Sequence, residues 1–318
     1  AAAAHGRGFS AMSGTAQWND VTRRYGDVLA VSGVSLSLRA GEATALVGHN
    51  GAGKTTLTKL LLGLVRPDAG TVRVSGVDPS GAQGAQARRK LGFLPENVAF
   101  HGAMTGSELM AFYARLKGHS VRRNRELLSL VGIAHAADRR VSTYSKGMRQ
   151  RLGIAQALIG EPQLLLFDEP TSGLDPASRA EVFNTIDLLR RGGATVLVCT
   201  HALAEVEHRV DRVAVMHRGN LLAAGTLDEL REGVVPEARF RLRAEGLVGE
   251  DLSTRLPAGS RCTEAGEGIV LVSVPAAEKM AALRTLAQLP GVRDISTAAP
   301  GLEDLYRQLV ERHEAMAA

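Results

Sequence analysis

Two cysteines in 318 residues, Cys199 and Cys262, leave no material for a disulfide framework. They lack Cys-x-x-Cys spacing, which excludes a cysteine zinc site and makes a reducing compartment the default. The nine histidines show no His-Glu-x-x-His or other ligand spacing. Aromatic residues make up 4% of the chain, with a single Trp, which argues against a base-stacking nucleic-acid platform. No apolar run approaches the roughly 18 residues that a membrane-spanning helix needs. The richest stretches, "LTKLLLGLV" and "PQLLLF", are far too short, so a role at a membrane requires spans from other chains. Lys and Arg (38) exceed Asp and Glu (33) by five, a weak bias toward an acidic partner or an anionic surface. The opening "AAAAHGRGFSAMSG" lacks the basic, apolar and cleavage regions of a signal peptide. Residues 1–14 therefore read as an unstructured leader or tag, with a natural start expected at Met12.

Hydrophobic residues make up 45% of the chain, enough for a sizeable core. Strand patterns occur at 28–39, 43–48, 163–170 and 194–200, with a strand–turn–strand at 212–226 and a hairpin-like "GTVRVSGVD". Helical patterns occur after residue 53 and at 107–117, 123–133, 147–160 and 177–191, and one begins near His201. The alternation implies a mainly parallel sheet covered by helices, an α/β fold. Residues 105–160 interrupt it as an inserted helical subdomain. The pattern breaks around "REGVVPEA", so domains are expected at 15–235 and 236–318, the second a small α+β unit.

"GHNGAGKTT" (48–56) lies between a predicted strand and a predicted helix, the context that a phosphate-binding loop requires. Glycines at 48, 51 and 53 let the backbone turn tightly and approach phosphate without a Cβ. Backbone amides of the loop and the helix N-terminus then face an anion. Lys54 supplies a point charge and Thr55 a hydroxyl for Mg²⁺. "LLLFDEP" places Asp168 at the carboxyl end of a buried strand, where α/β sheets bind ligands. Asp168 would help hold Mg²⁺, and Glu169 would act as general base toward a water. Taken alone, "DE" is also a common surface or helix-capping pair. His201 reads either as structural or as a contact to the terminal phosphate.

The order "GHNGAGKT", "YSKGMRQR", "LLLFDEP", "SGLD" and "TH" resembles the ATPase subunit of ABC transporters over roughly residues 15–235. The resemblance implies a P-loop ATPase domain with an added antiparallel β layer, ATP and Mg²⁺ as ligands, and ATP hydrolysis in a head-to-tail homodimer. It implies nucleotide contacts from His49, Asn50, Gly51, Ala52, Gly53, Lys54, Thr55 and Thr56. Tyr25 would stack on adenine, and Ser145 and Gly147 would meet the nucleotide held by the partner copy. Asp175 would lie in the loop joining the two sites, and His201 would be the switch histidine. Two stretches depart from the pattern. The signature stretch reads "YSKGM" where Leu-Ser-Gly-Gly-Gln is usual, and Glu96 stands where a Mg²⁺-contacting Gln is usual.

"GFLPEN" and the ending "PGLEDLYRQLV" resemble the exporter-type branch. Within it, "LPENV", "ARLKG" and "HAADRRVSTYSKGMRQRLGIAQALIGEPQLLLFDEPT" resemble ATPase subunits of transporters that mature the copper site of nitrous oxide reductase. That resemblance implies an integral membrane subunit, a periplasmic accessory subunit, a place on the cytoplasmic face of the inner membrane, and no nucleic-acid partner. Helix 105–117 and the Glu96 loop are expected to face the membrane subunit.

Overall fold

The structure, a computed structural model, describes residues 15–233, 237–244, 252, 255–264, 268–298 and 301–317. The leader read at 1–14 lies outside the described residues. Contacts divide the chain into two compact units, one ending at Ala224 and one beginning at Gly225.

The first unit holds two sheets. Strands β1 (Ala16–Tyr25), β2 (Val28–Leu38) and β4 (Ala69–Val74) form an antiparallel layer in the order β2-β1-β4. The larger sheet has the order β5-β6-β7-β3-β8-β9, from Leu91–Leu94, Leu164–Asp168, Thr195–Thr200, Ala43–Val47, Arg212–His217 and Asn220–Gly225 respectively. The β5-β6, β6-β7, β7-β3 and β3-β8 pairs are parallel. All residues of β3, β6 and β7 are buried, as expected for parallel strands covered on both faces. Helix α1 (Lys54–Leu61) packs its Leu57, Leu60 and Leu61 into the core between the sheets. Trp18 of β1 is buried there, and its indole N–H donates to the Leu57 carbonyl at 3.3 Å. A short helix, α2 (Gly84–Arg89), precedes β5.

Helices α3 (Gly106–Leu116), α4 (Asn124–Leu130) and α5 (Lys146–Ala157) pack on one another. A capping box between Thr105 and Glu108 starts α3. Helix α6 (Pro176–Arg191) follows β6, and the short α7 (Leu203–Val206) follows β7.

The second unit begins with α8 (Leu227–Gly233). Its antiparallel sheet has the order β11-β12-β10-β13, from Arg261–Glu264, Ile269–Pro275, Glu237–Ala244 and Val292–Ala298. Helices α9 (Lys279–Ala287) and α10 (Leu302–Ala317) complete it. Phe240, Leu242, Val270, Val272, Val274 and Leu286 are the centre of its own core.

Candidate functional site: a phosphate loop at the carboxyl ends of parallel strands

Strand order gathers the candidate residues. Because β7 lies between β6 and β3, the carboxyl ends of three neighbouring strands deliver Asp168, Thr200 and the loop after Val47 to one edge. The segment carrying Glu96 leaves the carboxyl end of β5, the next strand along.

The loop from Gly48 to Gly53 is shaped by two close approaches. Gly48 has φ +159°, and a Cβ there would lie 2.4 Å from the Met216 carbonyl oxygen and 2.9 Å from the Ala52 Cβ. Gly53 has φ +103°, and its Cβ would lie 2.6 Å from the Ala30 carbonyl oxygen. Both positions therefore require glycine. Gly53 is the N-cap of α1 and offers no side-chain acceptor, so the first-turn amides keep their partial positive charge for an anion. Lys54 is buried and curls back, donating to the Gly48 carbonyl at 2.5 Å and the His49 carbonyl at 3.2 Å. His49, Asn50, Gly51 and Thr55 are exposed along the loop, Ala52 is buried, and Thr56 is half-buried. Beneath the loop, the hydroxyl of Thr58 lies 3.3 Å from Cys199 Sγ, tying α1 to β7.

Asp168 is buried, and its carboxyl pKa is raised to about 6. Burial is the main cause, the charges of Glu169 and Glu96 add to it, and Lys54 and Lys59 oppose it. Glu169 has φ +46°, a left-handed conformation unusual for a side chain with a Cβ. Its carboxylate is held at both oxygens: Thr200 Oγ1 donates to Oε2 at 3.1 Å, and His201 Nδ1 lies 2.8 Å from Oε1. The Glu169 amide donates to the Cys199 carbonyl at 2.8 Å. Ala202 N–H in turn donates to Thr200 Oγ1 at 3.0 Å, which orients that hydroxyl toward Glu169. Sequence reasoning missed Thr200. Its signal was a polar residue closing the apolar run "VLVC" beside His201.

The stretch "TYSKGMRQR" starts a helix. Ser145 is the N-cap of α5 in extended backbone, and its hydroxyl accepts from the Met148 amide at 3.2 Å. Tyr144 is buried and donates to the Ala136 carbonyl at 2.6 Å, with burial raising its phenol pKa. A Cβ on Gly106 would lie 2.4 Å from that hydroxyl, so Gly106 makes room for the tyrosine. A Cβ on Gly147 would lie 2.6 Å from Ser178 Oγ, which sets the close packing of α5 on α6. Two of the stretch's three basic residues have local partners: Arg149 donates to the Tyr144 carbonyl at 2.6 Å, and Arg151 pairs with Glu181 at 3.0 Å.

Asp175 caps α6 by accepting from the Ser178 amide at 3.0 Å. Hydrogen bonds from the Ser178 hydroxyl and amide hold its carboxyl below the ordinary range. The turn before it is braced by a network that sequence reasoning also missed. Arg179 donates to the Leu174 carbonyl at 2.8 Å and pairs with Glu205 at 2.9 Å, and Thr171 donates to Glu205 at 2.7 Å. Tyr25 ends β1, exposed, with the Arg23 guanidinium 4.7 Å from its ring centroid.

The donor set fits Mg·ATP. Two glycines open a cradle that a Cβ would fill, a lysine and uncapped amides line it, and one hydroxyl and one buried carboxylate flank it. Among the described residues no group of three or more His, Cys, Asp or Glu could hold a metal. That suits Mg²⁺, which takes few protein ligands and completes its shell with water and phosphate.

Residues 31–172 match the ABC transporter family. A daunorubicin resistance ATP-binding protein, DrrA3, of Streptomyces coeruleorubidus is 36% identical over 297 residues, covering 90% of this chain and 93% of that protein. The chain belongs to the ATP-binding proteins of ABC transporters. A Nod factor export ATP-binding protein I of Rhizobium sp. (strain N33) is 34% identical, covering 92% of this chain and 95% of that one. A solved ATP-binding subunit of an ABC transporter aligns with TM-score 0.63 at 29% identity, over 69% of this chain and 92% of that one. This ABC ATPase therefore binds ATP with Mg²⁺ and couples its hydrolysis to transport. ABC ATPase subunits of this kind dimerise and work with a membrane transporter subunit. No helix among the described residues is long and apolar enough to cross a membrane.

Proposed function

We propose that the chain is the motor of an exporter whose composite ATP sites are built from its own Gly48–Thr56 loop and a partner copy's Ser145 and Gly147. Lys54 leaves the loop carbonyls to meet the terminal phosphates, and Tyr25 stacks on the base. Thr55 and Asp168 would hold Mg²⁺, with Glu96 beside them, and a bound ion would supply charge neutralisation to the phosphates. Glu169 takes the proton from the attacking water, held in place by Thr200 and His201. Asp175 passes the state of one site to the other. The observation that carries this reading is the double anchoring of a buried, left-handed Glu169 next to Asp168. Glu169→Gln is expected to keep ATP binding, trap an ATP-bound dimer and lower turnover by about 10²–10⁴. Near-normal turnover would remove Glu169 from the chemistry.

For the transported cargo, the stretches quoted above support maturation of nitrous oxide reductase. That reading carries a copper- or sulfur-related cargo, a periplasmic accessory subunit, and docking on the cytoplasmic face of the inner membrane. A second reading, export of an amphiphilic natural product, is favoured by the relatives named for daunorubicin resistance and Nod factor export, which match along nearly the whole chain. Deleting the gene separates them. Loss of nitrous oxide reduction with unchanged drug tolerance supports the first, and heightened sensitivity to amphiphilic antibiotics with intact nitrous oxide reduction supports the second. In either case an exposed apolar strip of α3, with Phe112 51% and Leu116 70% exposed beside a groove of about 750 Å³, is where the membrane subunit would dock.

A further inference from the structure

The sheet of the second unit has one face on its core; α10 reaches the opposite face at Arg239 through Asp304, and that face is exposed at Arg241, Arg243 and Leu271. Alternation along β10 sends Phe240 and Leu242 inward and Arg239, Arg241 and Arg243 outward. Arg241 lies between Leu271 of β12 and Ser296 of β13. Arg243 lies between Ile269 and Asp294, and Arg261 of β11 is aligned through Ser273 with Arg239. Arg239 is half-buried and paired with Asp304 of α10. Arg241, Arg243 and Arg261 are exposed, and Leu271 among them is 45% exposed. Asp294 is the one carboxylate at these outward positions among the described side chains.

Arginines two residues apart on one strand stand on the same face about 7 Å apart, and their repulsion is offset when a polyanion covers them. A second copy of the same face would set arginine against arginine, so self-pairing is disfavoured. A single-stranded nucleic acid would look for stacking aromatics, and the outward positions carry none among the described side chains. What fits is a flat anionic surface that accepts guanidinium groups at headgroup level and one apolar side chain just below them. We propose that this face docks on anionic phospholipid headgroups and holds the second unit against the bilayer that carries the partner subunit.

The test uses the full chain, without any membrane subunit, sedimented with phosphatidylglycerol-rich or pure phosphatidylcholine vesicles. Binding is expected to the first and not the second, weakening steeply as salt is raised. R241Q/R243Q is expected to weaken it about thirty-fold, while ATPase activity in the absence of lipid stays at wild type and reports the fold. Equal binding to both vesicle types, wild-type binding that survives high salt, or unchanged binding by a folded double variant each overturns the proposal. So does capture of polyglutamate or RNA homopolymer by a chain that ignores the vesicles. Vesicle binding does not depend on the composite ATP site, so failure of that reading and failure of this one are separable.

Discussion

Helices α1 and α5 start differently, although both are read as phosphate-facing. Helix α1 begins at Gly53 in left-handed backbone with no side-chain cap, while α5 begins at Ser145 in extended backbone and caps itself through Met148. The first design leaves the amides to the ligand and depends on glycine to bring other backbone close. The second keeps its amide satisfied, yet the serine hydroxyl still has its proton to donate to a phosphate oxygen. One end keeps its amides open for an anion; the other is stable without one and, in the proposed composite site, would add a single directed contact. The substitutions at the second, Tyr144 and Lys146, are accommodated because the fold has made room for them, whereas the first tolerates no Cβ at Gly48 or Gly53.

The sharpest way to break this comparison is to damage one end on each of two chains. Lys54→Ala and Ser145→Arg are each expected to abolish hydrolysis in their own homodimers. Mixed with free exchange, half the dimers carry one intact site, so activity should return to about a quarter of wild type. Captured mixed dimers that neither hydrolyse ATP nor close on it would show that the two helix starts do not share a site. Next in size, Gly53→Ala forces a Cβ into the Ala30 carbonyl at a left-handed position, and is expected to cost about 1–3 kcal/mol in thermal unfolding and to lose nucleotide binding.

The pH dependence sharpens the chemistry at the α1 end. The stability carried by protonated Asp168 is full below its unfolded value of 3.8 and is lost as pH rises through about 6. Mg·ATP binding runs the other way, expected to fall up to about tenfold per pH unit as pH drops below 6, because a proton competes with the ion. Glu96→Gln removes one of the charges raising Asp168, so isothermal titration of Mg·ATP is expected to show this fall shifted to lower pH. The smallest effect belongs to Ser145→Ala, about 1 kcal/mol from the lost cap, read as a modest drop in melting temperature.

Much of this was legible in the chain. The fully apolar runs of β3, β6 and β7 and the motif at 48–56 placed the loop, Asp168 and Glu169 because buried parallel strands leave an unbroken pattern. Strand β1 was not read, because register shifts between Trp18 and Arg24 break its alternation and most of its residues are polar. The four-residue β5 and β11 are too short to show a period. Thr200 and the Arg179–Glu205–Thr171 brace escaped for another reason: their partners are joined by strand order, not by spacing.

With Glu169 in its proposed role as general base, its left-handed backbone sets stability against activity at a single residue. Asparagine and glycine occupy that conformation with less strain than glutamate, and neither can take up a proton. A library sorted for heat resistance alone is therefore expected to enrich replacements at this position and return sturdier proteins whose ATP turnover is slowed by about 10²–10⁴.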